Sequence, residues 1–169
     1  RDSETLAGIL DELGFTPNET AEGSDVIIIN TCAIRQNAEE KVLGEIGNFK
    51  RLYRDNKDLV IGVCGCIAQE EGLVETLLTK YPQVRLLFGT HNIQELPSML
   101  YSCMYEGKKV VKIYSKEGEV YENLPVHRFG TFKAWVNIMY GCDKFCTYCI
   151  VPYTRGKQRS RKMSEILKE

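Results

Sequence analysis

Three cysteines stand close together in the last quarter of the chain. Cys142, Cys146 and Cys149 are separated by three and then by two residues. Thiolates at this spacing on one loop can bind three corners of a cubane iron–sulfur cluster and leave the fourth iron open to another ligand. An open metal position implies catalysis, whereas a structural zinc site needs four ligands. The spacing therefore predicts a catalytic iron–sulfur site. A structural zinc site is the alternative, although the nearest histidine, His127, lies beyond the preceding predicted strand.

The other cysteines are spread along the chain. Seven cysteines in 169 residues is an odd number, which suits reduced, metal-binding thiols better than a disulfide framework. Cys32 and Cys66 each follow a predicted strand directly, so we expect them at the same edge of a sheet. Small buried residues at strand ends are the alternative interpretation of this pair. Cys64 and Cys103 are interpreted as packing residues.

The elements that must position these residues alternate between helix and strand. Uninterrupted apolar runs are typical of parallel strands that are covered on both faces, and the segments between them have helical periodicity. The sequence therefore predicts an α/β fold with a three-layer, doubly wound, mostly parallel sheet. The predicted helices are Ser3–Leu13 with Ser3 as its cap, Asn37–Tyr53, Gln69–Tyr81 and Ile93–Tyr105, and the predicted strands are Asp25–Asn30, Leu59–Val63, Leu86–Phe88, Val110–Tyr114 and Phe132–Met139.

The pattern changes after residue 105, and we place a domain boundary near Pro125–Phe129. Residues 1–127 are expected to form the α/β domain without its first strand. Residues 128–169 provide one strand, one loop and the start of a helix at Ser164, which is too little for a complete domain. No apolar run approaches the roughly 20 residues that span a bilayer, and a signal-peptide pattern is absent from the N-terminal residues. We therefore expect a cytoplasmic protein that does not engage membranes.

Charge is divided unevenly along the chain. Residues 1–127 carry 13 Lys/Arg and 20 Asp/Glu, whereas residues 128–162 carry eight Lys/Arg and one acidic residue, Asp143. A basic segment after an acidic one favours contact with an anion such as nucleic acid, and a solvated face is the plain alternative. Five of the basic residues are candidates for binding RNA phosphates, or alternatively the carboxylate of a small ligand. They are Arg155, Lys157, Arg159, Arg161 and Lys162.

Several further stretches, spread over nearly the whole chain, carry a family resemblance. They are Asp2-Ser3-Glu4, Asn30-Thr31-Cys32-Ala33-Ile34-Arg35-Gln36-Asn37-Ala38-Glu39, Gly65-Cys66-Ile67-Ala68-Gln69, Phe88-Gly89-Thr90-His91-Asn92-Ile93, Asn137-Ile138-Met139-Tyr140-Gly141-Cys142 and Tyr153-Thr154-Arg155-Gly156. Together with the cysteine triplet, they resemble the radical-SAM methylthiotransferase family. The resemblance is greatest to its tRNA-modifying, MiaB-type branch.

The resemblance implies an enzyme that uses S-adenosylmethionine (SAM) and two 4Fe-4S clusters. One cluster would lie on Cys142, Cys146 and Cys149, with Tyr148 near the adenine of SAM, unless that aromatic is simply core. The second would lie on Cys32 and Cys66, with a third ligand upstream of Asp2 that is absent from this chain. Such an enzyme needs an electron donor. An electron passed to SAM cleaves it to methionine and a deoxyadenosyl radical, which can abstract hydrogen from C–H bonds that no base could deprotonate.

By the same resemblance, the substrate would be tRNA. A methylthio group would be added at C2 of an isopentenyladenosine next to the anticodon. Related substrates are the alternatives, namely a threonylcarbamoyladenosine in tRNA or an aspartate of a ribosomal protein. A zinc-stabilised RNA-binding module without catalysis is the alternative of another class. Residues 1–169 alone are expected to be inactive, because most of the radical-SAM barrel and one cluster ligand would lie outside them.

Overall fold

The computed structural model describes residues 1–31, 36–69, 71–113 and 120–169. It contains helices α1 to α6 and strands β1 to β6, with 3₁₀ turns at Cys66–Gln69 and Thr90–Glu95. In chain order the elements are α1 Asp2–Glu12, β1 Val26–Thr31, α2 Gln36–Asp55, β2 Val60–Gly65, α3 Glu71–Lys80, β3 Val84–Phe88, α4 Leu96–Tyr105, β4 Val110–Lys112, β5 Met139–Tyr140, α5 Val151–Arg155, β6 Arg159–Ser160 and α6 Met163–Lys168.

The described chain forms two compact units. One unit is Asn18–Tyr114, and the other combines Arg1–Pro17 with Ser115–Glu169. Helix α1 is thereby grouped with the cysteine-containing segment, whereas the sequence places it in a domain of residues 1–127. The domain boundaries of the longer protein stay a prediction.

The first unit contains a four-stranded parallel sheet in the order β1-β2-β3-β4. All six residues of β2 are buried, as expected of a central strand covered on both faces. Ile61 and Val63 of β2 belong to a core cluster that contains side chains of α2 and α3. Helix α4 packs beside β2, β3 and β4. The predicted α/β class with a parallel sheet is confirmed. Among the described strands the spatial order follows the chain, from β1 to β4.

The core of this unit is aliphatic. Fully buried Leu, Ile and Val side chains each contribute about 1.5–3 kcal/mol relative to exposure, so a cluster of this size holds the helices firmly on the sheet. The buried members are Val42, Ile46, Leu59, Ile61, Val63, Ile67, Ala68, Leu73, Leu77, Val84 and Leu87.

The second unit has short elements. Strands β5 and β6 pair antiparallel, with Met139 opposite Ser160 and Tyr140 opposite Arg159. The predicted strand Phe132–Met139 is wrong in extent, because regular pairing begins only at Met139. The predicted cap of α1 is also wrong. That helix begins at Asp2 with Arg1 at its N-cap, so Ser3 lies inside the first turn.

None of the helices in the described ranges is both long and apolar enough to cross a membrane.

Candidate metal centre

The cysteine loop connects β5 to α5. Strand β6 follows α5 in the chain and pairs with β5, so strand hydrogen bonds hold together the residues before and after the loop. The pairing of Tyr140 with Arg159 fixes the distance that residues 141–158 must bridge. The loop is therefore closed at its base.

Gly141 makes the turn from β5 into the loop. Its φ is +69°, a conformation that glycine adopts without strain. A Cβ at this position would lie 2.1 Å from the carbonyl oxygen of Lys157 and 2.4 Å from that of Gly156. The close approach lets the Cys142 N–H donate to the Gly156 carbonyl at 3.1 Å. Cys142 is therefore anchored to the segment that follows α5.

Hydrogen bonds within the loop hold the remaining cysteines. The N–H of Cys149 donates to the carbonyl of Cys146 at 2.9 Å, so these two cysteines begin and end one turn. The Asp143 carboxylate accepts the N–H of Gln158 at 2.9 Å, which adds a second link between the loop and the segment after α5. The sequence did not indicate this contact of Asp143, because its partner lies 15 residues away.

All three cysteines of the triplet have free thiols. Cys142 and Cys149 are half-buried and Cys146 is exposed, so the loop presents thiols to a ligand from solvent. Within the described ranges, no three His, Cys, Asp or Glu side chains lie close enough to hold one metal ion. In a cubane each thiolate binds a different iron, so its cysteines lie farther apart than the ligands of a single ion. Three free thiols on one short, partly exposed loop fit the donor set of such a cluster.

His127, the nearest histidine in sequence to the triplet, contacts a carboxylate instead of the cysteines. Its Nδ1 lies 2.5 Å from Oδ2 of Asp11 on α1. This contact gives no support to a zinc site built from the triplet and His127, because a structural zinc needs its fourth ligand at bonding distance.

The aromatic residue before the third cysteine is on the surface. Tyr148 is 92% exposed, so the interpretation of this residue as core is wrong. Its ring face is accessible to a flat ligand such as a nucleobase. The predicted role near the adenine of SAM stays a prediction.

The second pair of predicted ligands is only partly described. Cys66 begins the 3₁₀ turn after β2 and is 2% exposed, while Cys32 lies outside the described residues. The residues just before them, Thr31 and Gly65, are paired in register at the carboxyl ends of β1 and β2. The strand ends from which both cysteines follow therefore lie together, and the ligand roles of Cys32 and Cys66 stay predictions.

Two other cysteines are core residues. Cys64 and Cys103 are 1% and 0% exposed, which confirms their interpretation as packing. Burial raises the pKa of the Cys103 thiol, so this cysteine is a poor nucleophile or metal ligand at neutral pH.

The five basic candidates differ in their surroundings. Lys157 and Lys162 are exposed. Arg155 pairs with Asp2 at 2.9 Å. Arg159 is half-buried and donates to the Arg155 carbonyl at 2.9 Å. Arg161 has a side chain only 5% exposed.

The Arg161 side chain forms ion pairs with two carboxylates. Its guanidinium contacts Glu122 at 2.8 Å and Glu169 at 2.6 Å, and it donates to the Asn137 carbonyl at 2.9 Å. Burial alone would lower the pKa of Arg161, but hydrogen bonds and charges from the two carboxylates outweigh it and raise that pKa. A phosphate would have to displace both carboxylates, so the structure gives Arg161 an internal contact that its place in a basic run did not indicate.

Comparison with known proteins places the chain in a family. Residues 1–89 match the model of a family described as "Uncharacterized protein family UPF0004". The chain is 57% identical over 168 residues to a Bacillus pumilus protein, 58% identical to one from Bacillus cytotoxicus and 55% identical to one from Halalkalibacterium halodurans. Each is named tRNA-2-methylthio-N(6)-dimethylallyladenosine synthase. The alignments cover 99% of this chain but only 33%, 33% and 31% of the respective relatives.

Proposed function

The chain belongs to the UPF0004 family, and on that premise we propose that it is part of a radical-SAM tRNA methylthiotransferase. The longer protein would add a methylthio group at C2 of isopentenyladenosine next to the anticodon. The observation that carries the proposal is 57% identity over 99% of the chain to relatives named for synthesis of the 2-methylthio product. The cysteine loop, with its three free thiols, supports the same assignment.

We assign the cofactor roles to the chain's own cysteines. Cys142, Cys146 and Cys149 would hold the SAM-binding 4Fe-4S cluster, and Cys32 and Cys66 would contribute to a second one. When bound, the first cluster supplies the electron, received from a donor protein, that cleaves SAM. The chain's part is to hold three thiolates on a loop closed by strand pairing, which positions the ligands before the cluster arrives.

The basic residues would bind the tRNA backbone. Exposed Lys157 and Lys162 lie next to α5 and β6, so their side chains are accessible to phosphates from solvent. Arg155, Arg159 and Arg161 already interact with protein groups, and their contribution to RNA affinity is proposed to be smaller. Because the substrate is tRNA and the thiols must stay reduced, we place the protein in the cytoplasm.

Nucleoside analysis of tRNA tests the proposal directly. Cells that lack the full-length gene are complemented with wild type, Cys142→Ala, Cys146→Ala, Cys149→Ala or the control Cys103→Ala, with protein levels measured in each strain. We expect the methylthio group to disappear in the deletion strain and in the three loop variants. It should return with wild type and with Cys103→Ala. A methylthiolated isopentenyladenosine that persists in the deletion strain would sink the proposal.

Metal analysis separates the cluster from a zinc site. After anaerobic preparation and reconstitution, the full-length protein should contain iron and acid-labile sulfide, and its EPR signal should change on addition of SAM. Zinc without sulfide would instead identify an RNA-binding module. A SAM response that survives in all three loop variants would refute the ligand assignment.

A further inference from the structure

Two acidic residues of α1 contact the segments on either side of the cysteine loop. Asp2 and Glu4 stand in the Asp-Ser-Glu stretch, to which the proposed reaction gives no role. Both lie in the same compact unit as the loop. Arg155 Nη2 donates to the Asp2 carboxylate at 2.9 Å, and Arg128 Nη1 donates to the Glu4 carboxylate at 2.8 Å.

The Asp2 contact leads directly to a predicted cluster ligand. Arg155 ends α5, and the carbonyl of the next residue, Gly156, accepts the N–H of Cys142 at 3.1 Å. The carbonyl of Arg155 itself accepts a guanidinium N–H of Arg159 at 2.9 Å, and Arg159 is paired with Tyr140 at the end of β5. Fixing Arg155 therefore fixes both the backbone partner of Cys142 and the strand that leads into the loop.

The Glu4 contact holds the segment that enters the loop. The Glu4 side chain is 8% exposed, and the Arg128 that it binds also donates to the carbonyl of Trp135 at 2.9 Å. The carbonyl of Glu4 accepts the N–H of His127 at 2.9 Å. One turn of α1 thus contacts the chain both before and after the loop.

We propose that Asp2 is a positioning residue for the cysteine loop, acting through Arg155 and Gly156 on Cys142, and that Glu4 gives a second anchor through Arg128. The link to a cluster rests on the proposed function. The positioning of Cys142 does not, because it follows from contacts within the described chain. The ion pair is partly buried, with the Asp2 and Arg155 side chains 20% and 35% exposed, so its loss should loosen the loop locally without unfolding the unit.

Thiol labelling of the iron-free full-length protein tests the positioning. The rates at which Cys142, Cys146 and Cys149 react with iodoacetamide are measured separately by peptide mass spectrometry. We expect Asp2→Asn to speed the labelling of Cys142 about twofold to fivefold, as loss of a pair of this exposure implies. The matched control is Glu12→Gln, which removes the same charge from an exposed position of the same helix and should leave the rate unchanged.

Charge exchange separates a specific pair from a general effect on folding. The double variant Asp2→Arg with Arg155→Asp should return the Cys142 rate toward wild type, whereas either single reversal should raise it. If Asp2→Asn fails to fold, as judged by circular dichroism, Asp2→Glu replaces it and should label at a rate between wild type and the single reversals. Equal rates in wild type and Asp2→Asn, equal increases in Asp2→Asn and Glu12→Gln, or no rescue by the exchange would each overturn the proposal.

The reconstituted protein gives a separate readout. We expect a chelator to remove iron from Asp2→Asn faster than from wild type and Glu12→Gln. The charge exchange should return the rate of iron removal toward that of wild type. If the protein takes up no iron or sulfide at all, the proposed function fails while the labelling result still decides the role of Asp2. If iron is bound but is lost at the same rate from all variants, the positioning of the cluster by Asp2 is refuted.

Discussion

The burial of Arg161 separates the basic residues into two groups that should respond differently in an RNA-binding experiment. We expect the double variant Lys157→Ala, Lys162→Ala of the full-length protein to flatten the dependence of log tRNA affinity on log salt. Each phosphate contact contributes about 0.7–0.9 to that slope, so the loss of both lysines should reduce it by about 1.4–1.8. Both side chains are exposed, so the change should cost little stability.

Arg161→Ala should leave the salt dependence of tRNA affinity unchanged and should instead lower the stability of the fold. Its guanidinium is compensated by Glu122 and Glu169, so the slope should not change. Removing one member of a buried ion pair costs about 3–5 kcal/mol. We expect about 3 kcal/mol here, because the carboxylate side chains keep 17% and 14% of their exposure.

The assay is a tRNA-binding titration at five salt concentrations, with urea unfolding of each variant. Affinity is measured at a temperature at which circular dichroism shows every variant folded. Lys50→Ala with Lys80→Ala is the matched control, since both lysines are exposed and lie in the sheet-containing unit; this double variant should leave the slope unchanged. A slope unaffected by Lys157→Ala, Lys162→Ala, or flattened by about 1 or more in Arg161→Ala, would refute this division of roles.

Two further expectations concern stability, each measured by urea unfolding. Gly8→Ala should destabilise the protein by about 1–3 kcal/mol, although alanine favours helices more than glycine does. The added Cβ would lie 2.6 Å from the backbone carbonyl carbon of Pro125. Gly47→Ala meets nothing within 4 Å and should stabilise by about 0.5–1 kcal/mol; equal effects would contradict the packing. The hydrogen bond from Lys112 lowers the pKa of Glu95, so the pair stabilises above the ordinary carboxyl pKa and is lost as pH falls through the lowered value. Glu95→Gln should lower the free energy of unfolding by about 0.5–1 kcal/mol at pH 7 and by progressively less below about pH 4. A loss that does not change with pH would show that the ionised pair is not its source.

Local patterns were sufficient for the sheet and for the cysteine loop. Four consecutive apolar residues in β1 and a similar run in β2 predicted parallel strands, and both strands are found within two residues of the predicted bounds. A strand covered on both faces must be apolar at every position, so its pattern is visible without knowledge of its neighbours. The spacing of Cys142, Cys146 and Cys149 is local in the same sense, since the three thiols share one loop.

Short elements and helix ends were less predictable. The predicted strand from Phe132 was too long, because most of its apolar residues are exposed and only Met139 and Tyr140 find a partner strand. Ser3 has the chemistry of a helix cap, but the helix begins at Asp2. A side chain suited to capping does not decide the boundary when other contacts of the first turn favour an earlier start.

The sequence by itself determined which residues can do chemistry, namely a thiol triplet and a basic segment, because residue type and spacing are properties of the chain. Only the tertiary structure decided which charges are available. Arg161 is buried against Glu122, 39 residues away, and Arg155 binds Asp2, 153 residues away. Hydrophobic periodicity indicates which face of an element is buried but not which distant side chain it meets. The same limit hid the association of α1 with the loop, since ion pairing depends on distances that only the folded chain sets.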